Sequence, residues 1–181
     1  MTHEIIMAGF GGQGVMAMGK ILAEAALHEG KNVSWLPSYG PEMRGGTANC
    51  NVIISEEEIG APVVTEATAA LILNKPSLYK FEGDVVPGGS IIINSSLIDD
   101  KCKRTDIKAY YVPANEIANE IGNARIANIV MLGAYLELSG AARTETIMNI
   151  ISEIFSGKKA SVIPLNQEAL SRGAACVKAQ M

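Results

Sequence analysis

Two glycine-rich segments are the parts of this 181-residue sequence with residues suited to chemistry. The first reads Gly9-Phe10-Gly11-Gly12-Gln13-Gly14 and fits the pattern G-x-G-x-x-G. Glycines at these positions permit a tight turn and let backbone N–H groups approach a ligand closely. A helix that begins near Val15 leaves N–H donors facing the turn, which favours an anion such as a phosphate or a carboxylate.

A dinucleotide site also needs an acidic residue about 20 residues further on, where it binds a ribose hydroxyl at the end of the second strand. Glu29 precedes that strand, and the strand ends in Trp35-Leu36-Pro37-Ser38, without an acid. The sequence therefore weighs against NAD. Two interpretations stay open: the glycines only allow close packing of helix and strand, or the loop contacts a ligand or a partner protein.

The second segment follows the second predicted strand and reads Ser38-Tyr39-Gly40-Pro41-Glu42-Met43-Arg44-Gly45-Gly46. The Arg44 guanidinium is suited to bidentate binding of a carboxylate or a phosphate. Glu42 and Arg44 could equally pair with each other or with groups across a subunit interface. A solvated turn without a function is the remaining alternative.

The elements around these segments predict how they are positioned. Residues 4–8 form a short apolar run typical of a buried strand, residues 15–28 have helical spacing, and residues 32–36 predict a second strand. Such a βαβ unit should have a right-handed crossover. In a doubly wound sheet the carboxyl ends of neighbouring strands carry adjacent loops, so both glycine-rich segments should meet on one rim.

The rest of the chain alternates strands and helices and then becomes helical, which predicts one α/β domain over residues 1–181. Pro87-Gly88-Gly89 indicates a turn, and residues 59–64 are a candidate hairpin partner. Further strands are predicted at residues 47–55, 67–73, 90–94 and 108–112. Helices are predicted within residues 74–81 and at residues 114–121, 124–138, 145–155 and 166–178.

Composition narrows the class of protein. The chain is 48% hydrophobic and 19% charged, as expected of a globular domain. Its net charge of −4 and its aromatic content of 5% argue against nucleic-acid binding. Neither a signal peptide nor an apolar stretch of the roughly 20 residues that span a bilayer is evident, so we expect a cytoplasmic protein that does not bind a membrane.

Other reactive side chains suggest little chemistry of their own. Cys50, Cys102 and Cys176 are far apart and form no C-x-x-C motif, so we expect three reduced thiols and no metal site. Ser38 has no evident His and Asp partners for hydrolysis. Asn128 lies in an apolar helical stretch, either as a buried, hydrogen-bonded group or as an interface contact.

The two glycine-rich segments together, at this spacing, resemble the gamma subunit of 2-oxoacid:ferredoxin oxidoreductases. The resemblance covers essentially the whole chain and continues through residues 49–54, 57–62 and 128–134. The 2-oxoglutarate and ketoisovalerate types look closest. The resemblance implies a Rossmann-like, doubly wound, mostly parallel sheet with helices on both faces. The implied complex decarboxylates a 2-oxoacid on thiamine diphosphate, reduces ferredoxin through [4Fe-4S] clusters and forms an acyl-CoA.

The resemblance also implies that alpha and beta subunits, with a delta subunit as a further candidate, hold the thiamine diphosphate, Mg²⁺ and clusters, and that CoA is a co-substrate. This chain should contain no catalytic residue of its own. Gly83-Asp84-Val85 departs from the family's Gly-Asp-Gly segment, and three cysteines are too few for a cluster that takes four. Two rival functions are an independent nucleotide-binding enzyme of Rossmann type and a small-molecule-binding regulatory module.

We call the candidate ligand-binding or interface residues the glycine rim. We expect them to face the partner subunits, help to close the active site, and guide CoA or position the substrate carboxylate. They are Gly9, Gly11, Gly12, Gln13, Gly14, Ser38, Tyr39, Gly40, Glu42, Arg44, Gly45 and Gly46.

Overall fold

The computed structural model describes residues 1–39 and 46–181, with side chains at all of these except 158 and 159. Six strands form one sheet in the order β2-β3-β1-β4-β5-β6. The strands are β1 (Thr2–Phe10), β2 (Asn32–Tyr39), β3 (Thr47–Ser55), β4 (Ala67–Ile72), β5 (Val85–Asn94) and β6 (Lys108–Val112). The helices are α1 (Val15–His28), α2 (Lys75–Phe81), α3 (Ala114–Ile121), α4 (Ala127–Ser139), α5 (Thr144–Ile154) and α6 (Ile163–Lys178).

The sheet is mostly parallel, but one reversed strand changes its expected arrangement. β1, β4, β5 and β6 are parallel neighbours, whereas β3 pairs antiparallel with both β1 and β2. The prediction that β1 and β2 are adjacent is therefore wrong. β3 runs opposite to both strands and lies between them in the sheet. Since β1 and β2 still run in the same direction, their carboxyl ends share one end of the sheet.

Successive side chains of β1 point to opposite faces of the sheet and contribute to two hydrophobic cores. Ile5 and Met7 are fully buried on one face with apolar residues from α1, α3, α4, α5 and α6. Ile6 and Ala8 are buried on the other face with residues of α2 and of the segments that precede β4 and connect β5 to β6. Helices thus cover both faces, as expected, but five of the six lie on one face.

Three predicted local features differ from the structure. Residues 59–64 form no strand; this stretch, which contains Gly60 and Pro62, is a loop. Pro87-Gly88-Gly89 is not a turn between elements, because it lies inside β5, where the register shifts. Gly88 has φ +83° there, and its N–H donates to the Asp106 carbonyl at 2.8 Å. The helix predicted from residue 124 begins with a 3-10 turn, Ala124–Ile126, before α4.

Candidate functional site

The two glycine-rich segments touch at the carboxyl end of β1. The Gly11 N–H donates to the Gly46 carbonyl at 2.8 Å, and Phe10 pairs with Thr47 across the sheet. Gly12 and Gly14 have φ of +92° and +77°, the left-handed conformation that glycine adopts without a Cβ clash. Gly14 is the N-cap of α1. The structure therefore brings the described ends of both segments together at one end of the sheet.

Gln13 clamps the first segment to the neighbouring strand. Its Oε1 accepts a hydrogen bond from the Phe10 N–H at 2.6 Å, and its Nε2 donates to the Leu73 carbonyl at 3.1 Å. A Cβ on Gly9 would lie 2.5 Å from this Oε1, which explains the glycine there. The spacing of the glycines predicts that Gln13 belongs to the rim. It does not predict the hydrogen bond to the Leu73 carbonyl, because Leu73 follows β4, 60 residues later.

Asn128, at the start of α4, supports the loop from the other side. Its Nδ2 donates to the Gly14 carbonyl at 3.1 Å, and a Cβ on Gly14 would lie 2.4 Å from that nitrogen. The residue is 7% exposed. Of the two interpretations open from the sequence, the structure shows a buried, hydrogen-bonded group. The sequence does not reveal that its partner is the glycine loop.

Two aromatic side chains are exposed at the described part of the rim, Tyr39 of the rim itself and the neighbouring Phe10. Phe10 is 39% exposed and Tyr39 is 56% exposed, although both are large. Together with Met16, Ala17 and Ala48 they line a shallow depression of about 290 Å³ above the glycines. Ser38 is exposed on β2 and pairs with Asn49 of β3. Gly40, Glu42, Arg44 and Gly45 lie outside the described residues.

Glu29, the acid nearest to the position that a dinucleotide site requires, is engaged elsewhere. Its carboxylate accepts a hydrogen bond from the Arg143 N–H at 2.8 Å and lies 3.6 Å from the Lys31 ammonium. Burial alone would raise the pKa of Glu29, but these contacts outweigh it and lower the pKa. Glu29 therefore joins the end of α1 to the start of α5.

The cysteines do not fit a shared iron–sulfur cluster. Cys50 is fully buried in the core beside α1, whereas Cys102 packs against the core on the opposite face of the sheet. Burial raises the pKa of the Cys50 thiol to about 12. Within residues 1–39 and 46–181, no group of three or more His, Cys, Asp or Glu side chains is arranged to hold a metal ion.

A second cavity, of about 570 Å³, lies beside the rim between α1 and the starts of α4 and α6. Ala17 lines both cavities, and Asn128 lines this one while it contacts Gly14. Ile154, at the end of α5, is 54% exposed at the edge of this cavity.

In the described part of the chain, no helix is long and apolar enough to cross a membrane.

Comparison with known sequences identifies related proteins. The family model described as pyruvate ferredoxin/flavodoxin oxidoreductase matches residues 4–176. Ketoisovalerate oxidoreductase subunit VorA of Methanothermobacter marburgensis is 44% identical over 172 residues, which cover 94% of this chain and 36% of VorA. The 2-oxoglutarate synthase subunit KorC of Methanocaldococcus jannaschii is 37% identical over 154 residues, 83% of this chain and 82% of KorC. The chain thus spans about a third of the VorA relatives' length.

Two solved structures share the architecture. The gamma subunit of a keto/oxoacid ferredoxin oxidoreductase from Geobacter sulfurreducens superposes with a TM-score of 0.82 at 31% identity, over 98% of this chain and 99% of that one. A 2-oxoglutarate:ferredoxin oxidoreductase from Magnetococcus marinus, with 2-oxoglutarate, coenzyme A and succinyl-CoA bound, gives 0.89 at 26% identity, over 98% of this chain and 31% of that one. These matches confirm the expected fold class.

Proposed function

Because the chain belongs to the pyruvate ferredoxin/flavodoxin oxidoreductase family, we propose that it acts as the gamma-type part of a 2-oxoacid:ferredoxin oxidoreductase. The complex oxidatively decarboxylates a 2-oxoacid to an acyl-CoA and reduces ferredoxin. The names of the relatives, ketoisovalerate oxidoreductase and 2-oxoglutarate synthase, support a branched-chain 2-oxoacid or 2-oxoglutarate as the substrate. Family membership confirms the resemblance found in the sequence.

The chemistry belongs to the partners in this proposal. Alpha and beta subunits, with or without a delta subunit, hold the thiamine diphosphate, Mg²⁺ and [4Fe-4S] clusters, and residues 1–181 act as one non-catalytic domain. The placement of Cys50 and Cys102 on opposite faces of the sheet supports this division. The three cysteines are free thiols, which suits the reducing cytoplasm.

The observation that carries the proposal is the exposed apolar surface over a braced backbone. Phe10 and Tyr39 are exposed beside the first glycine-rich segment, whose backbone donates a hydrogen bond to the Gln13 side chain and accepts one from the Asn128 side chain. Exposed aromatic side chains on a rigid frame are typical of protein interfaces, where they bury large areas at low entropic cost. The glycine rim is therefore the edge that docks against the partner subunits, beside the active site that they form.

Substitution of the two aromatic residues tests this docking. Phe10→Ser and Tyr39→Ser should each weaken binding to the purified partner subunits by tenfold or more, since a central interface aromatic contributes roughly 2 kcal/mol. Leu27→Ser is the matched control, because Leu27 is 57% exposed at the opposite end of α1. Wild-type affinity in both aromatic variants, measured by titration calorimetry, would contradict the proposal.

Arg44 tests the chemistry proposed for the second segment. Arg44→Ala should raise the KM for CoA or for the 2-oxoacid in the reconstituted complex, because a guanidinium binds carboxylates and phosphates in pairs of hydrogen bonds. Arg172→Ala is the control, since Arg172 of α6 pairs with Glu120 of α3. Unchanged kinetics for both substrates, together with normal assembly, would remove Arg44 from the proposed site.

A further inference from the structure

We propose that Gln13 is the positioning residue of the glycine rim. Its carboxamide joins the backbone after β1 to the backbone after β4 through two hydrogen bonds. These contacts hold the Phe10 backbone, and with it the exposed Phe10 ring, in the position required for contact with a partner subunit. The inference rests on the proposed function, because it assigns a cause to the rigidity of the docking edge.

The position of Gln13 in the sheet supports this role. β1 is followed by α1 on one face of the sheet, whereas β4 is followed by α2 on the other face. In open α/β sheets, ligands bind in the crevice at the strand ends where the connections diverge in this way. Gln13 spans that crevice, with one hydrogen bond to Phe10 after β1 and one to Leu73 after β4.

The two contacts require a side chain that supplies one acceptor and one donor. The Phe10 N–H needs an acceptor, and the Leu73 carbonyl needs a donor. A carboxylate supplies only acceptors, and a thioether supplies no donor. A protonated carboxyl group, like a carboxamide, supplies one of each. The pair of contacts therefore distinguishes glutamine from a carboxylate or a thioether of the same length.

Few of the described residues near the Gln13 amide carry a charge that would contribute to the pH dependence of a Gln13 variant. Gly9, Val15 and Leu73 lie together around the Gln13 amide and are uncharged. Lys75 follows Leu73 at the start of α2 and lies 3.0 Å from the Asp100 carboxylate. Glu42 and Arg44 belong to the second segment, outside the described residues. Measuring wild type at every pH used for the variants removes the contribution of all these groups.

Gln13→Glu, studied at pH 8 and pH 5, is the decisive experiment. At pH 8 the introduced carboxylate faces the Leu73 carbonyl without a proton, so the Phe10 amide should lose at least tenfold of its hydrogen-exchange protection. Affinity for the partner subunits should fall at least tenfold as well. At pH 5 a larger fraction of the carboxyl groups is protonated than at pH 8, since the usual pKa is about 4.3, and the protonated form can donate to the Leu73 carbonyl. Both quantities should then recover toward wild type.

Two further variants make the result specific. Gln13→Met has the same length but no donor, and should show both losses at both pH values. Gln180→Glu is the matched control: Gln180 makes the same kind of pair with the Tyr111 N–H and carbonyl, at 3.0 and 2.9 Å, on the edge of the sheet at β6. It should leave Phe10 protection and partner affinity unchanged at both values.

The outcomes separate this inference from the proposed function. Wild-type Phe10 protection in Gln13→Glu at pH 8, or equal losses at both pH values, would overturn the role of Gln13. If the wild-type chain binds no partner subunit, the proposed function fails, whereas the exchange of the Phe10 amide still tests Gln13.

Discussion

The Asn128 side chain donates a hydrogen bond to the Gly14 carbonyl at 3.1 Å, across 114 residues of sequence. This contact joins the first turn of α4, a helix buried for most of its length, to the N-cap of α1. The rim is therefore supported by the core on which it stands, and not only by its own turn. Changes at this contact should affect both the stability and the shape of the rim.

Gly14→Ala should destabilise the chain by more than the backbone conformation alone requires. A non-glycine residue in the left-handed region costs roughly 1–2 kcal/mol, and here the new Cβ would also lie 2.4 Å from the Asn128 Nδ2. Gly30→Ala is the control, because Gly30 has φ +83° beyond the other end of α1, with nothing within 4 Å of its Cβ position. Urea unfolding should show the larger loss for Gly14→Ala. Equal losses would show that Asn128 gives way without cost.

The sequence predicts the long periodic elements well, because their signals are local. The bounds of α1, α3 and β6 agree with the predictions, since Gly30 and Gly122 follow the two helices as stop signals. Strand pairing is a different kind of information. Nothing in the alternation of residues 47–55 indicates that this strand lies antiparallel between β1 and β2, because pairing depends on partners distant in sequence.

The candidate site shows the same division. The glycine spacing and the helix start predict a tight loop at the carboxyl end of β1, and the structure has it. The sequence does not predict the contacts of Asn128 with Gly14 and of Leu73 with Gln13. These contacts depend on how α4 and β4 pack against β1. The role of the rim in binding stays a prediction.

Gly173→Ala tests the close approach of α4 and α6. A Cβ on Gly173 would lie 1.9 Å from the Val130 carbonyl oxygen, and one on Gly133 would lie 2.2 Å from the Leu170 carbonyl oxygen. Since both obstacles are backbone, the helices must separate, at a cost of about 3 kcal/mol or more. Ser171→Ala, on the exposed side of α6, adds no such clash and should stay within about 0.5 kcal/mol of wild type. Thermal unfolding measures both; a Gly173→Ala variant as stable as wild type would contradict this packing.

Glu82 should give the chain an acid-sensitive loop. Burial alone would raise the pKa of this carboxylate, but hydrogen bonds from the Cys102 thiol and from the Lys103 and Arg104 N–H groups outweigh it and lower the pKa. A lowered pKa in the folded state adds stability that is present above the unfolded-state value of about 4.3 and is lost as the pH falls through the folded-state value.

Glu82→Gln should therefore reduce stability at pH 7 by about 1–2 kcal/mol, because hydrogen bonds to a charged acceptor become neutral ones. Below about pH 4.3, the free energy of unfolding of Glu82→Gln should also fall less steeply than that of wild type. Glu153→Gln, an exposed change on α5, is the control. Denaturation between pH 7 and pH 3 supplies both curves, and parallel curves for wild type and Glu82→Gln would contradict the assignment.

Cys50 reports on the packing of α1 against the sheet. Its thiol is fully buried, with the Cβ position of Gly19 of α1 only 2.5 Å from the sulfur, and burial raises its pKa to about 12. Since the thiolate is the reactive form, iodoacetamide at pH 8 should label Cys50 at least tenfold more slowly than the partly exposed Cys102 and Cys176. The difference should vanish in urea above the unfolding transition. Labelling of Cys50 as fast as Cys102 in the native protein would mean that α1 separates from β3 without global unfolding. Since the loop of the glycine rim leads directly into α1, the rim would then lack the rigid support that the proposed docking requires.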